Sequence, residues 1–243
     1  MGERARLRQE ERRREHHVHR RRWLIWTVVG VVLGVALVVG GPWVYAQYLV
    51  QHTPDPLALD GSGSEQIPVG PVEIDGTWEV QPGSEAGYRL DEVLSGQDVT
   101  VVGRTQSVSG TVVVAGGRLT EALIAVGVDT ITSEQAARDA YFWRALDTTE
   151  YPQATFQILE SIDVSAIGES AATVTVEARG QLTMHGVTRD VVATLEVRRT
   201  SVGIEVAALV PVVLADFDLP TPDLGWVVVE PEGLVEALLL FSG

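Results

Sequence analysis

Apolar and polar residues alternate with a period of two through most of the C-terminal two thirds of the chain. In TVTVEARGQLTMH, residues 173–185, small or apolar residues take every second position and polar residues fill the positions between them. Successive side chains of a strand point to opposite faces, so this pattern is typical of a strand with one buried face. His185-Gly186 favours a tight turn into a second alternating run, Val187 to Arg198. The pattern predicts an antiparallel hairpin with one solvated face.

Further runs of the same kind follow one another with no long helical pattern between them. They occupy residues 98–105, 107–115, 118–130, 155–164, 202–214 and 226–241. So many short strands predict an all-β domain. We expect a closed antiparallel β-barrel, because closure leaves no exposed sheet edge.

One stretch interrupts the strands with a helical pattern. Thr132-Ser133-Glu134-Gln135 has the form of a capping box, with Thr132 as N-cap and Gln135 at the third helical position. Good helix formers follow, and we expect the helix to end near Asp147, before a loop to Tyr151-Pro152. The sequence therefore predicts one short helix inserted between two strands, where a lid or plug would close the barrel end.

A long apolar run lies near the N-terminus. Residues 23–45 carry no charge and, as a helix, would extend about 34 Å, enough to cross a bilayer. Trp23 and Trp26 lie at one end, and Trp43 and Tyr45 at the other, where an aromatic belt would be. Nine arginines precede Trp23. The pattern predicts a single transmembrane helix with residues 1–22 as a cytoplasmic basic arm. A cleaved signal peptide, with Ala46 near the cleavage position, is the alternative.

Composition divides the rest of the chain. Residues 46–75 are rich in Pro, Gly and Ser, which predicts a flexible tether, and residues 76–243 suit one domain. Residues 46–243 hold nine arginines and 29 acidic residues, which argues against a nucleic-acid partner. The chain has no lysine and much Val, Ala, Gly and Arg, a composition that favours a GC-rich bacterial source. We therefore expect a single-pass protein of the cell membrane with an extracytoplasmic domain.

The residues needed for common catalytic chemistries are sparse. Beyond the apolar run the histidines are His52 and His185, and the chain has no cysteine and no GxSxG motif. A serine hydrolase would have to use His185, which we place in a turn. A zinc site built from Cys and His is excluded, and no nucleotide-binding glycine loop follows a strand. We predict no enzyme activity, no metal and no cofactor.

Four segments, in order along residues 76–243, carry a family resemblance. They are GTWEVQPGSEAGYRLDE (76–92), VGRTQSVSG (102–110), VDTITSEQAARDAYFWRALDTTEYPQATFQ (128–157) and GQLTMHGVTRDV (180–191). The chain resembles the YceI-like domain, the extracytoplasmic polyisoprenoid-binding family. The resemblance implies a lipocalin-like barrel with a long apolar cavity that holds an isoprenoid chain or a similar amphiphile. It implies binding and not catalysis.

Two departures from the family pattern concern the ligand. The family commonly follows Arg-Asp with a His-Leu-Arg-Ser-type segment, whereas this chain has Ala140, Tyr141, Phe142 and Trp143. Bulkier aromatics would narrow the cavity or change its ligand. The family also often carries a basic residue in the region after Pro211, and this chain has none from Thr200 onward.

The aromatic stretch suggests a ligand site at one end of the barrel. We expect its aromatic residues, with those of the following loop and strand, to line or close that end: Tyr141, Phe142, Trp143, Tyr151 and Phe156. Arg138, Asp139 and Arg189 would form the polar edge. Arg189 falls in the apolar phase of its strand, so it needs a partner, for which Asp139 is the candidate. Alternatively, that pair only holds the fold and the aromatics are ordinary core.

Two functions of different classes remain open. The first is a membrane-tethered protein that holds an isoprenoid-like or other amphiphilic lipid in the barrel. The second is an interaction or structural module of the cell envelope, with a packed barrel, no small ligand and a protein partner that the sequence does not identify. Small inward residues, such as Val174, Val176, Ala178 and Gly180, favour a void and hence the first.

Overall fold

The computed structural model describes residues 53–59, 72–133, 135–169, 172–223, 225 and 227–243, with scattered positions between 26 and 50. The chain divides into two compact units, Met1–Leu49 and Val50–Gly243. In the first unit the described positions up to residue 48 are helical. None of the described helices is both long and apolar enough to cross a membrane. Much of the predicted transmembrane helix 23–45, and all of the arm 1–22, lie outside the described residues.

The second unit is built from antiparallel strands and a few short helices. The helices are α1, Ala136–Ala145, and α2, Ser165–Glu169, with 3₁₀ turns at Val128–Thr130 and Leu214–Phe217. The strands are β1 Gly76–Val80, β2 Glu85–Leu94, β3 Gln97–Thr105, β4 Val108–Ala115, β5 Arg118–Gly127, β6 Gln153–Ile158, β7 Ile162–Asp163, β8 Val174–Met184, β9 Val187–Arg199, β10 Ile204–Val213 and β11 Val227–Ser242.

The strands close into a barrel. The pairing runs β1–β4–β5–β6–β8–β9–β10–β11, and β11 returns to β1. The long strand β11 also pairs with β2, which pairs with β3. Since β1 continues into β2 and β3 into β4 along the chain, each couple acts as one interrupted strand. The result is the predicted closed antiparallel barrel, with eight strands around the ring.

The hairpin of β8 and β9 confirms the predicted alternation. Ala178, Gly180, Leu182 and Met184 are buried, whereas the residues between them are exposed or half-buried. The turn joins Met184 to Val187 through His185 and Gly186, which have φ angles of 53° and 71°. Two successive positive φ angles give the turn that matches the twist of the two strands. The period-two pattern and the turn residues therefore fixed this hairpin locally.

The helix α1 is present, but the predicted capping box is wrong. The helix begins at Ala136 after Gln135, and no side chain caps its first turn. Thr132 instead pairs with Arg104 of β3 through reciprocal backbone hydrogen bonds of 3.0 and 2.9 Å. Ser133 donates its N–H and its hydroxyl to Oδ1 of Asp139, at 2.8 and 2.6 Å. Thr132 thus continues the pairing of β3, and Asp139 of α1 accepts both hydrogen bonds that Ser133 donates.

Residues 53–59, which we call the strap, lie against the outer face of β2, β3 and β11. Nη2 of Arg89 donates to the carbonyl oxygen of Pro54 at 2.9 Å, and Nη2 of Arg104 donates to that of Asp55. Leu57 is buried, and its N–H donates to Oε2 of Glu236 at 3.4 Å. These contacts were not predicted from the sequence. The rest of the predicted tether includes residues 60–71, which lie outside the described residues.

Glu236 of β11 is the centre of this outer contact. Its side chain has no exposed surface, and its two carboxylate oxygens accept from Arg89 Nε at 3.3 Å and from Arg104 Nη2 at 2.9 Å. Strand alternation places these three side chains on the face opposite to Tyr88 and Val235. A buried carboxylate is tolerated because two guanidinium groups and one backbone N–H satisfy it.

Asp75 joins the start of β1 to the turn between β4 and β5. Its Oδ1 and Oδ2 accept from the N–H groups of Gly117 and Gly116, at 2.9 and 2.5 Å. These hydrogen bonds hold the pKa of the Asp75 carboxyl below its ordinary value. The neighbouring Ile74 is buried in the core formed with Val164, Ile167 and Phe241. The chain is therefore fixed to the barrel from residue 72 onward.

Candidate ligand-binding site

The barrel encloses an apolar cavity of about 200 Å³. Its wall is made by the inward faces of the strands, closed by β1 and α2 at one end and by α1 at the other. Small residues at inward positions leave the centre of the barrel unfilled, whereas larger residues line the two ends of the cavity. Among the lining residues are Trp78, Ala86, Tyr88, Val112, Ala122, Ile131, Phe142, Ala154, Phe156, Ile167, Leu182, Ala193, Val210, Val235, Leu239 and Phe241.

A second cavity of about 130 Å³ continues from the first toward solvent. It lies between α1 and the segment 214–222, and it shares Tyr88, Phe142, Met184 and Val235 with the first cavity. The rings of Tyr88 and Phe142 stack between the two cavities, with centroids 4.6 Å apart and planes 14° apart. The combined volume of the two cavities lies just above the lower limit of the roughly 300–1,000 Å³ usual for small-molecule sites.

Two glycines allow the aromatic rings to lie flat against the wall. A Cβ at Gly103 would come within 2.4 Å of the Tyr88 ring, and one at Gly180 within 2.4 Å of the Phe156 ring. Both rings therefore occupy space that the side chain of any residue other than glycine at these positions would fill. Each glycine lies directly across a strand pair from its aromatic partner or diagonally to it. Glycine at positions 103 and 180 therefore leaves room for the two rings and so sets the shape of the cavity wall.

Tyr88 lies where the apolar cavity meets charged groups. Burial raises the pKa of its hydroxyl to about 12; the nearby Arg138 opposes this rise, and Asp139 and Glu92 add to it. The hydroxyl is thus protonated at physiological pH. It makes no hydrogen bond within the part of the chain that the structure describes. Tyr88 therefore offers a hydrogen-bond donor to a molecule that fills the cavities.

The polar edge of the second cavity contains an ion pair. Nη2 of Arg138 lies 3.4 Å from Oε1 of Glu92, with side-chain exposures of 21% and 12%. Arg138 comes from α1 and Glu92 from an inward position of β2, so the pair links the helix to the barrel wall. The distance is long for a charge-assisted hydrogen bond, so a polar ligand group has room to exchange with either partner.

The structure separates the predicted site residues into three groups. Phe142 and Phe156 line the main cavity, and Arg138, Tyr141 and Phe142 line the second. Trp143 lies at neither wall; its Nε1 donates to the carbonyl oxygen of Ile131 at 3.0 Å and ties α1 to the preceding segment. Tyr151 packs edge-on against His185, 5.7 Å between ring centroids, at the β8–β9 turn.

The predicted ion pair between Asp139 and Arg189 is not formed. Asp139 is buried and held by Ser133, whereas Arg189 is exposed and donates from Nη1 to the carbonyl oxygen of Thr188 at 3.0 Å. Arg189 does lie in register with the buried Leu182. Its neighbours on the same face of β9, Val187 and Val191, pack against the core, whereas the Arg189 side chain extends to solvent.

Sequence reasoning missed Tyr88 and Glu92. Both fall on the inward phase of β2, with Ala86 and Leu90, and this alternation was present in AGYRLDE. Among the described residues, no group of three or more His, Asp or Glu side chains is arranged to hold a metal ion. The arrangement instead suits an elongated apolar molecule with one polar end.

Comparison with known proteins agrees with this geometry. The YceI-like domain model matches residues 78–238. A polyisoprenoid-binding domain from Saccharophagus degradans, implicated in plant cell wall breakdown, superimposes with a TM-score of 0.56 at 18% identity, covering 68% of this chain and 98% of its own. BcnA of Burkholderia cenocepacia gives 0.50 at 17%, covering 64% and 96%. No curated protein matches the chain in sequence. The family model spans well over half of the chain, and the chain therefore belongs to the YceI-like domain family.

Proposed function

We propose that this protein is a membrane-tethered, extracytoplasmic lipid-binding protein that holds an isoprenoid-like or other amphiphilic lipid in its barrel. The observation that carries the proposal is the pair of adjoining apolar cavities inside a closed barrel. A packed barrel would fill this space with alternating large and small side chains. An enclosed apolar void suits a flexible hydrocarbon chain, because every lining atom then gains contacts that the void lacks.

Family membership supports lipid binding in general terms. The S. degradans domain is described as polyisoprenoid-binding, and its fold covers 68% of this chain. We extend that activity to this chain because its own cavity is apolar and leads to one polar edge at Arg138 and Glu92.

The proposal is one of binding and not of catalysis. Nδ1 of His185 lies 3.0 Å from the carbonyl oxygen of Phe217, and its ring packs against Tyr151. It therefore has a structural role in the turn. His52 lies outside the described residues.

The membrane part of the proposal rests on the sequence. The basic arm, 1–22, and the uncharged run, 23–45, support a single span with a cytoplasmic N-terminus.

The lipid-binding test uses the full chain, produced in a bacterial host and purified in amphipol. Native mass spectrometry and organic extraction then identify any lipid that accompanies it. We expect a bound lipid, or uptake of an added polyprenyl chain. Ala193→Phe places a ring inside the cavity and should abolish uptake, whereas Thr194→Phe, on the outward face of the same strand, should not.

The same variants separate the two functional classes. If the barrel holds a ligand, Ala193→Phe fills a real void and costs little stability without lipid. In a packed barrel the extra ring would cost about 1–3 kcal/mol through overpacking. A wild-type chain with no bound lipid and no uptake would overturn the proposal and favour the interaction or structural module of the cell envelope.

The topology needs its own test. Carbonate extraction of cell membranes should leave the protein in the pellet, and protease added to spheroplasts should degrade the barrel but protect the basic arm. Release by carbonate would contradict the anchor, and protection of the barrel would contradict its placement outside the cytoplasm.

A further inference from the structure

The pairing of β2 with β11 is interrupted beside the second cavity. Gly233 pairs with Leu90 and Val229 with Glu92, so residues 230–232 of β11 stand opposite Asp91 alone. Extra residues of this kind are left out of the ladder of backbone hydrogen bonds. Residues on both sides of the interruption, which we call the gap, line the second cavity: Leu90, Glu92, Val229 and Gly233. The cavity therefore has a side wall with an incomplete ladder.

The second cavity extends between the two strands at the gap. Arg89 and Leu234 are partners across β2 and β11, and alternation places both on the outer face of the barrel. Both nevertheless line the second cavity, together with their inward neighbours Leu90 and Val235. A cavity that touches residues of both faces reaches through the sheet. The gap is therefore a place where a lipid chain could pass sideways through the wall.

The strap, residues 53–59, crosses the outer face at the same level. Oγ1 of Thr53 donates to the carbonyl oxygen of Thr100 on β3 at 3.4 Å. Thr100 is paired with Asp91, and its hydroxyl donates to Oδ1 of Asp91 at 2.7 Å. Asp91 is the residue that faces the extra residues of β11. The first residue of the strap is thus joined to the strands directly at the gap.

The other strap contacts tie the three strands beside the gap together. Arg89 of β2 and Arg104 of β3 each donate both to a strap carbonyl oxygen and to the carboxylate of Glu236 on β11. The buried Leu57 donates its N–H to the same carboxylate. Undocking would expose these charges to water, where their attraction is several-fold weaker. Docking of the strap therefore strengthens the link between β2 and β11 where the ladder is incomplete.

Resting on the function proposed above, we infer that the strap is a gate for the lipid. While docked, it holds the gap closed around a bound chain; once undocked, it lets β2 and β11 separate at the gap, and the chain enters or leaves through the side of the barrel. Among the described strap residues none lines either cavity. The strap therefore controls the rates of lipid entry and exit more than the affinity.

The first test needs no ligand. Leu57→Asp places a charge in the buried site next to Glu236 and should undock the strap while leaving every barrel residue unchanged. In the full chain in amphipol, we expect the backbone amides that flank the gap to exchange hydrogen at least about tenfold faster than in wild type. Amides of the β8–β9 hairpin should not change. Ala58→Asp adds the same charge at the adjacent exposed position and is the control.

The second test measures lipid exchange. Each protein is loaded with deuterated geranylgeraniol and chased with the unlabelled alcohol, and native mass spectrometry follows the change in mass. We expect Leu57→Asp to exchange at least about tenfold faster than wild type, with an affinity changed by less than about threefold. Leu57→Ala removes the apolar contact without adding charge and should give an intermediate rate. Ala58→Asp should match wild type.

The outcomes separate the gate from the proposed function. If the strap amides of Leu57→Asp exchange freely while those at the gap stay protected, the gate is overturned and lipid binding stands. Equal lipid exchange rates in Leu57→Asp and wild type would also overturn the gate. A wild-type chain that takes up no lipid would overturn the proposed function, and amide exchange would still show whether the strap holds the gap closed.

Discussion

The ring of Tyr88 lies parallel to that of Phe142, 4.6 Å away, at the junction of the two cavities. Tyr88 lies against the barrel wall over Gly103, whereas Phe142 belongs to α1. We expect this contact to limit how far a ligand chain would pass from the second cavity into the first. Movement of α1 would widen the passage without changing the strands.

Phe142→Ala should join the two cavities into one. We expect the variant to accept longer polyprenyl chains than wild type and to lose about 2 kcal/mol of stability, less than a fully buried Phe because its ring is only partly buried. Native mass spectrometry with chains of graded length and urea unfolding measure the two effects. Leu159→Ala, at an exposed apolar residue that lines neither cavity, is the control. An unchanged length preference would show that this stack does not limit the passage.

Tyr88 should make the protein sensitive to alkali. Its folded-state pKa is about 12 against an ordinary 10.0, so above pH 10 the unfolded chain loses the proton first. Stability should therefore be complete below pH 10 and decline between pH 10 and 12, by on the order of 2 kcal/mol. Urea unfolding across this range measures the decline. Tyr88→Phe should reduce the slope, while Tyr141→Phe should not; equal slopes in all three proteins would contradict the assignment.

Glu236→Gln should release the strap. The change leaves Arg89 and Arg104 without a carboxylate in a largely buried site, and losing one partner of such a cluster costs about 3 kcal/mol or more. We expect a lower urea midpoint and faster hydrogen exchange at the Leu57 amide. Glu205→Gln breaks the more exposed pair with Arg198 and should cost less than about 1 kcal/mol. Equal losses of stability in Glu236→Gln and Glu205→Gln would mean that the strap contact is no stronger than a surface ion pair.

Asp75 should contribute to acid sensitivity. The N–H groups of Gly117 and Gly116 lower its folded-state pKa, so its stabilisation is present above the ordinary value of 3.8 and is lost as the pH falls through the folded value. Asp75→Asn should therefore flatten the dependence of the urea midpoint on pH below about 4. Asp98→Asn, at an exposed position of β3, is the charge control. Identical acid profiles for wild type and Asp75→Asn would exclude this role.

The sequence predicted best the features that depend on near neighbours. Alternation in 173–185 and the His185-Gly186 turn defined β8, β9 and their register. The same local information misplaced the start of α1. A Thr and Ser followed by Gln fits a helix cap, but pairing with Arg104 and bonding to Asp139 both outweighed it. Local propensity is a weak guide where tertiary partners compete.

The candidate site was only partly predictable for a related reason. Alternation assigns a backbone position to a face but does not fix the path of a long side chain, so Arg189 was expected to be buried but extends to solvent. It also gives no information on what covers the outer face. Alternation along β11 predicts an outward, solvated position for Glu236. Leu57 of the strap, which covers it, is 179 positions away in sequence. Family resemblance, and not periodicity, supplied the ligand class.

The position of Glu236 also bears on how the chain folds. Arg89 and Arg104 emerge early during synthesis, and their carboxylate partner arrives 147 and 132 residues later, on the same strand that closes the barrel against β1. Until then the strap has no site to dock on and the two arginines repel each other. Ring closure and strap docking should therefore occur in one late step, slow because it joins distant parts of the chain. A nascent chain that lacks its last strand would have a labile N-terminal segment, open to cellular proteases.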